Sequence, residues 1–179
     1  MLIRVLRYNT YLLLLALVVS TGCQSSERKE KRQVATLRVH VEVFADSTGA
    51  NEPVSIGRSS PITVTIHKET ILTEADVTRA KVVEDTGGFT LQIQFNRRGT
   101  QLLENHTASR PGSHLAIFSE FGAKLEKARW LAAPAIRRRI SDGLLVFTPD
   151  ADREEADQIA LGLNNLVRRS QGLLIKDVE

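Results

Sequence analysis

The 179-residue chain contains one cysteine, and aromatic residues make up only 5% of it. A single thiol can form neither an internal disulfide nor a cysteine-based zinc site, because each needs at least two. One apolar run, Tyr11–Val19, has nine residues, whereas a helix needs about 20 to cross a bilayer. The composition therefore excludes a disulfide framework, and this run is too short for a transmembrane anchor.

The chain also carries little excess charge. Its formal net charge is +3, but Arg4 and Arg7 lie in the first 22 residues, which contain no acid. Without that segment, 22 basic residues face 21 acidic ones. Nucleic-acid-binding domains have a clear basic excess, so the sequence predicts no nucleic-acid partner. The 42% of hydrophobic residues suffices for one globular domain.

The first residues have the order of a secretory signal. Arg4 and Arg7 precede the apolar run, and small residues follow it before Cys23. The cysteine after Thr21 and Gly22 resembles the lipobox of bacterial lipoproteins, which implies that Cys23 becomes the lipidated N-terminus. The alternative is an incidental cysteine in an uncleaved anchor. We expect a signal peptide over residues 1–22 and a lipidated flexible tether over 23–33, facing the periplasm, with the outer membrane favoured over the inner.

From Val34 the pattern predicts a single domain over residues 34–179. Leu37, Val39 and Val41 alternate with polar residues, which indicates a strand with one buried face. Further strands are expected at Ile62–Ile66, at Leu115–Phe118, at Ala123–Leu131 and, buried, at Leu144–Phe147. The residues around Gly87 and Gly88 predict a hairpin between Lys81–Glu84 and Phe89–Phe95. Turn-forming residues predict a loop over Asp46–Pro61.

Four helices are expected. The last is the longest, because Ala156, Ile159, Leu163 and Val167 recur at helical spacing over several turns, with Asp150 as its cap. The others are Arg97–Ser109, ended by Pro111, and short helices at Glu74–Ala80 and around Pro134 to Ile140. Leu173–Ile175 is expected to close the sheet. Hairpins mixed with helices predict an α+β fold, a mainly antiparallel sheet with helices packed on one face.

Residues 61–169 resemble the first periplasmic (head) domain of SecD, a subunit of the bacterial protein translocase. The resemblance rests on a Phe-Asn-x-x-Gly turn into a helix containing a Thr, a Gly-x-x-Leu-Ala-Ile strand, a Pro-x-Ile segment and a final Glu-Ala helix. The matching residues are Phe95, Asn96, Gly99, Thr107, Gly112, Leu115, Ala116, Ile117, Pro134, Ile136, Ile140, Gly143, Glu155, Ala156, Ile159 and Ala160. These residues set packing and turns, so the resemblance implies the fold more than an activity. It also implies contact with exported, incompletely folded chains.

No residue pattern predicts catalysis, a metal or a cofactor. His40, His67, His106 and His114 have no ligand spacing, and the two strand histidines are expected on polar faces. The acids from Asp150 to Asp157 lack the Gly and closing Glu of a calcium loop. Ser59, Ser60 and Ser113 lack a nucleophile context, and Gly87-Gly88 lacks a following helix start and Lys. We expect a protein that is not an enzyme.

The sequence leaves two classes of function open. The first is a lipid-anchored, non-catalytic module that binds exported polypeptides or a translocase or envelope-complex subunit, through sheet edges or the segment around Trp130. The alternative is a structural lipoprotein that binds peptidoglycan or anionic lipid through arginine clusters. The candidate partner-binding residues are Arg129, Trp130, Arg137, Arg138 and Arg139, and Cys23 is the candidate lipidation site. A core Trp130 and a merely solvated Arg137–Arg139 are the competing interpretations.

Overall fold

A computed structural model describes residues 30–45 and 49–172. The chain divides into two units, Met1–Arg32 and Gln33–Glu179. Of the first, residues 30–32 are described, and they are helical. The described part of the second contains ten strands and two longer helices: β1 (Val34–Ala35), β2 (Arg38–Val41), β3 (Asn51–Ile56), β4 (Ile62–His67), β5 (Leu72–Thr73), β6 (Val77–Asp85), β7 (Gly88–Phe95), α1 (Arg97–Ser109), β8 (Leu115–Gly122), β9 (Lys127–Ala132), β10 (Leu144–Phe147) and α2 (Arg153–Ser170).

The strands form three antiparallel sheets. In the five-stranded sheet, β8 is central: β1 and β2 pair with successive parts of one edge, and β9 pairs with the other. β5 extends this sheet beyond β2. The second sheet has the order β10-β7-β6, and the third is the β3–β4 hairpin. The predicted α+β class with a mainly antiparallel sheet is confirmed.

The main core lies between the five-stranded sheet, the β6–β7–β10 sheet and the helices. Val39, Ile117 and Leu131 point into it from the larger sheet, and Ile159 from α2. The helix approaches β1 closely at Gly162, where an added Cβ would lie 2.5 Å from the carbonyl carbon of Val34. The side chain of Asn165 donates to the carbonyl of Gln33 at 3.0 Å, which fixes the same contact.

A second, smaller core covers the opposite face of the five-stranded sheet. Ile56, Val64 and Ile66 of the β3–β4 hairpin pack on Ala116 of β8, and Trp130 lies at the border of this cluster. The larger sheet is thus covered on both faces near β8, which explains why the run that begins at Leu115 is continuously apolar.

Several elements agree with their sequence signals. The β6–β7 hairpin turns at Gly87, whose φ is +90°, a value that favours glycine. Helix α1 has the predicted bounds, since the Asn96 side chain accepts from the Gly99 N–H at 2.8 Å at its start and Pro111 follows its end. Leu173–Ile175, predicted to close the sheet, lies outside the described residues.

Three local predictions were wrong because strand pairing outweighed local preference. The expected loop Asp46–Pro61 contains β3, whose Pro53 sits opposite Thr65. The expected helix Glu74–Ala80 is a single 3-10 turn, Glu74–Asp76, and β6 then begins at Val77. Thr73 and Asp76 form a capping box, but it caps only this turn. The segment from Pro134 to Ile140 is not helical, and Ala135 bridges to His114.

Two individual residues also differ from expectation. Asp152, not Asp150, caps α2, and its side chain accepts from the Glu155 N–H at 2.8 Å. Asp150 instead binds the Arg58 guanidinium at 2.9 Å. His40 is buried rather than on a solvated face, because the β3–β4 hairpin covers that side of the sheet, and its Nδ1 lies 2.9 Å from the carbonyl oxygen of His67.

Candidate functional site

β10 is a strand with a free edge in the described part of the chain. It pairs with β7 through Leu144 to Phe147, and no described strand pairs with its other side. An antiparallel strand directs the N–H and C=O of alternate residues to each edge. The Leu144 N–H donates a hydrogen bond to the Asp142 carboxylate at 3.1 Å. Val146, two residues on, has a side chain that is 43% exposed. The predicted buried strand is therefore buried on one face only.

A groove runs along this edge, between β10 and residues 131–136. Two adjoining cavities of about 350 and 470 Å³ form it, and Pro134 lines both. The groove closes where the Asp150 N–H donates to the carbonyl of Leu131 at 2.6 Å. Ile62, at the turn of the β3–β4 hairpin, lines the second cavity and is 44% exposed. The groove thus places apolar residues such as Ile62, Pro134 and Val146 beside an unpaired strand edge, within walls that also carry polar and charged residues.

The predicted arginine cluster lies at one end of the groove. Arg137, Arg138 and Arg139 all line the smaller cavity and are exposed. Arg139 forms an ion pair with Glu104 of α1. Within the described residues, Arg137 and Arg138 form no ion pair. They therefore leave positive charge at the groove entrance.

Arg129 and Trp130 do not form one site, because neighbouring residues of a strand point to opposite faces. Arg129 binds Glu155 through two contacts of 2.6 and 3.1 Å and also donates to the carbonyl of Asp150 at 3.1 Å. Trp130 is half-buried on the other face. Their role in partner binding stays a prediction, as does that of Arg137–Arg139. Cys23 lies outside the described residues.

Several of the remaining candidate groups contact neighbouring side chains. His114 Nδ1 lies 2.7 Å from the Glu42 carboxylate. Burial, together with the nearby charge of Arg110, lowers the pKa of His106. Among the acids from Asp150 to Asp157, Asp157 pairs with Arg153 at 3.0 Å and Glu154 accepts from Gln158. In the described ranges no three His, Cys, Asp or Glu side chains are grouped to hold a metal.

Sequence reasoning missed the groove because its key residues are ordinary apolar ones. Val146 and Ile62 belong to short strands whose sequences resemble buried strands, and only the strand order reveals that they lie at an edge. Pro134, which lines the groove, lies outside every described strand and so does not mark the β10 edge. No helix in the described segments is long and apolar enough to span a bilayer.

Comparison with known proteins identifies the fold. Residues 31–165 match the family described as SecDF, P1 head subdomain. A solved structure of a membrane component SecDF that enhances protein export has a TM-score of 0.53 and 23% identity, over 79% of this chain and 67% of that one. SecDF in its Super-membrane-facing form also has a TM-score of 0.53, with 24% identity, over 79% of this chain but only 20% of that one. No curated protein matches. The chain belongs to the SecDF P1 head subdomain family.

Proposed function

We propose that this protein is a lipid-anchored component of the bacterial cell envelope, facing the periplasm, whose head domain is a non-catalytic module that binds extended polypeptide. The bound chains are exported proteins or a subunit of the translocase or of another membrane complex. The family supports a link to export, since a structural relative is a membrane component that enhances protein export. The signal-like N-terminus and Cys23 support the anchor.

The observation that carries this proposal is the free edge of β10 beside the groove. An exposed strand edge offers unpaired backbone N–H and C=O groups, and an extended polypeptide satisfies them by adding a strand. The side chains of such a strand alternate, so every second one enters the groove near Val146 and Pro134. Main-chain bonding tolerates many sequences, which suits a module that contacts unrelated exported proteins.

A proline at the free edge tests the proposal. In Val146→Pro the edge loses an N–H and gains a ring that blocks strand addition, while the β7 side is expected to keep its pairing. We expect this variant to bind an unfolded, soluble polypeptide about tenfold more weakly than the wild type, which corresponds to about 1.4 kcal/mol. Fluorescence anisotropy of the labelled polypeptide measures the affinity.

The matched control is Val146→Thr, which keeps the backbone donor and a β-branched side chain and is expected to bind as the wild type does. Circular dichroism and the melting temperature of both variants show whether the fold is retained. Equal affinity of a folded Val146→Pro and the wild type would exclude strand addition at this edge. Photocrosslinking in cells from position 146, with Glu154 on α2 as the exposed control site, identifies the bound chains.

A second candidate function rests on Arg137 and Arg138. Their exposed charges, without an ion pair among the described residues, favour an anionic envelope component such as anionic lipid or peptidoglycan. Exposed charges are screened over about 10 Å at 0.1 M salt, so this binding would fall steeply with salt and be lost in Arg137→Glu with Arg138→Glu. Salt-tolerant binding of unfolded chains would favour strand addition instead.

A further inference from the structure

An aromatic pocket of about 490 Å³ lies at the opposite end of the β3–β4 hairpin from the groove. Its floor is formed by His40, Phe118 and Trp130, on the outer face of the five-stranded sheet. Trp130 meets Phe118 edge to face, with ring centroids 5.1 Å apart, and His40 at 5.6 Å. The tryptophan is only half-buried. These ring contacts fix its orientation and leave part of the ring facing the pocket.

This aromatic floor already attracts a cation of the protein itself. The guanidinium carbon of Arg38 lies 5.6 Å from the centroid of the Phe118 ring, within the range of a cation–π interaction. Arg38 is also bound to Glu120 at 3.2 Å, which balances its charge. Trp130, the ring type that binds cations best, has no such partner among the described residues.

Two carboxylates at the rim add negative charge. Glu52 is paired with Ile66 in the hairpin register, and because Ile66 is buried beneath the hairpin, Glu52 projects from the same, sheet-facing side. Glu69 follows β4 and is exposed. Within the described ranges neither carboxylate forms an ion pair. The Lys68 ammonium at the same rim donates to the carbonyl of Gly49 at 2.8 Å. Arg38, which also lines the pocket, is paired with Glu120. With that pair counted as neutral, the two carboxylates and Lys68 leave one negative charge in excess.

We propose that this pocket binds the side-chain ammonium of a lysine in an extended polypeptide, with the ammonium between Glu52, Glu69 and the face of Trp130. The alkyl stem of a lysine is apolar and suits the aromatic floor, while its charge suits the rim. The inference rests on the proposed function, since it assigns a side-chain preference to a module that binds polypeptide. It requires no contact in the β10 groove.

Trp130 is the only tryptophan of the chain, so its fluorescence reports the pocket directly. The ligands are two short, extended peptides that differ at one position, lysine in one and norleucine in the other. Norleucine keeps the alkyl stem and lacks the ammonium. We expect saturable changes in Trp130 emission and an affinity at least about fivefold higher for the lysine peptide. This preference should shrink at high salt.

Charge variants separate the pocket from general electrostatics. Glu52→Gln with Glu69→Gln is expected to lower the affinity for the lysine peptide to that for the norleucine peptide and to leave the latter unchanged. Glu154→Gln, which removes an exposed carboxylate from α2, is the matched control and is expected to keep the lysine preference. Lys68→Gln is expected to strengthen it, because a competing ammonium leaves the rim.

Equal affinities for the two peptides, or a lysine preference that survives Glu52→Gln with Glu69→Gln, would overturn the inference. The proposed function would then be tested separately, by comparing the polypeptide affinities of Val146→Pro and the wild type. Conversely, Trp130 emission could show a lysine preference while Val146→Pro binds unfolded polypeptide as tightly as the wild type does. That result would support lysine binding in the pocket and exclude strand addition in the groove. If neither peptide nor unfolded polypeptide binds, both proposals are wrong.

Discussion

At the scale of single residues, Glu155 joins the start of α2 to the five-stranded sheet. Its side chain is almost fully buried, binds Arg129 through both oxygens, and also accepts from the backbone N–H of Asp152. The hydrogen bond from Arg129 is the main cause that lowers the pKa of Glu155, against the opposing effect of burial. The folded state therefore favours the charged carboxylate.

The lowered pKa predicts how stability depends on pH. A carboxylate with a lower pKa in the folded state stabilises the protein above its unfolded pKa of about 4.3, and this contribution is lost as pH falls through the folded value. We expect Glu155→Gln to lower the free energy of unfolding by about 2 kcal/mol at pH 7, because Arg129 loses its charged partner. The difference from the wild type should shrink as pH falls below about 4.

Urea denaturation at pH 7 and at pH 3 measures this difference. Glu154→Gln, one residue earlier and exposed, is the control and should change stability by less than about 0.5 kcal/mol at both values. A Glu155→Gln effect that is equally large at the two pH values would show that the charge of Glu155 is not what stabilises the contact.

At the scale of elements, the approach of α2 to β1 depends on one missing side chain. A Cβ on Gly162 would lie 2.6 Å from the backbone N of Ala35 and 2.8 Å from its Cβ. We expect Gly162→Ala to destabilise the domain by about 2 kcal/mol, although alanine favours a helix intrinsically, because the strand backbone must move. Thermal unfolding measures the loss of stability. Ala108→Gly, on the exposed side of α1, is the reference, because it changes helix propensity in the opposite direction at a site without close packing. An unchanged or higher melting temperature for Gly162→Ala would contradict this packing.

The elements predicted correctly are those whose signals are local. Helix α1 is capped by the adjacent Asn96 and followed by Pro111, and the β6–β7 hairpin contains its own turn glycine, Gly87. Where pairing partners are distant, local preference misleads: Pro53 suggests a loop, yet β3 forms because β4 pairs with it over six residues. His40 was predicted on a polar face for the same reason. The β3–β4 hairpin that covers it lies further along the chain, and the residues next to His40 in sequence do not indicate that cover.

The candidate site follows the same rule. Arg137–Arg139 were visible as a run of charge, and they do line the smaller cavity. The free edge of β10 and the acidic rim around Trp130 were not visible, because each is assembled from strands that meet only in the folded sheets. Arg129 and Trp130 show why adjacency in sequence does not define a site, since the two side chains lie on opposite faces of the same strand.

At the scale of the whole molecule, the proposed anchor depends on Cys23. We expect the wild type to incorporate a clickable palmitate analogue in a bacterial host and to have its mature N-terminus at this residue. Cys23→Ser should lose the label, because serine offers no thiol for lipid transfer. Gel fluorescence and the mass of the N-terminal peptide measure both, with Ser25→Ala as the control. Equal labelling of Cys23→Ser and wild type would contradict lipidation at this site.

The position of β8 also has a kinetic consequence. The first strands of the domain pair with it across long stretches of chain, and the Glu120 N–H of β8 bonds to the side chain of Thr36, 84 residues away. Asn165 of α2 reaches back 132 residues to Gln33. Contacts so distant in sequence slow folding, toward milliseconds to seconds. A chain that emerges from a channel N-terminus first cannot complete this sheet until Ala132, the last residue of β9, has emerged. If the protein is exported as proposed, the β8-centred sheet stays incomplete for most of that passage.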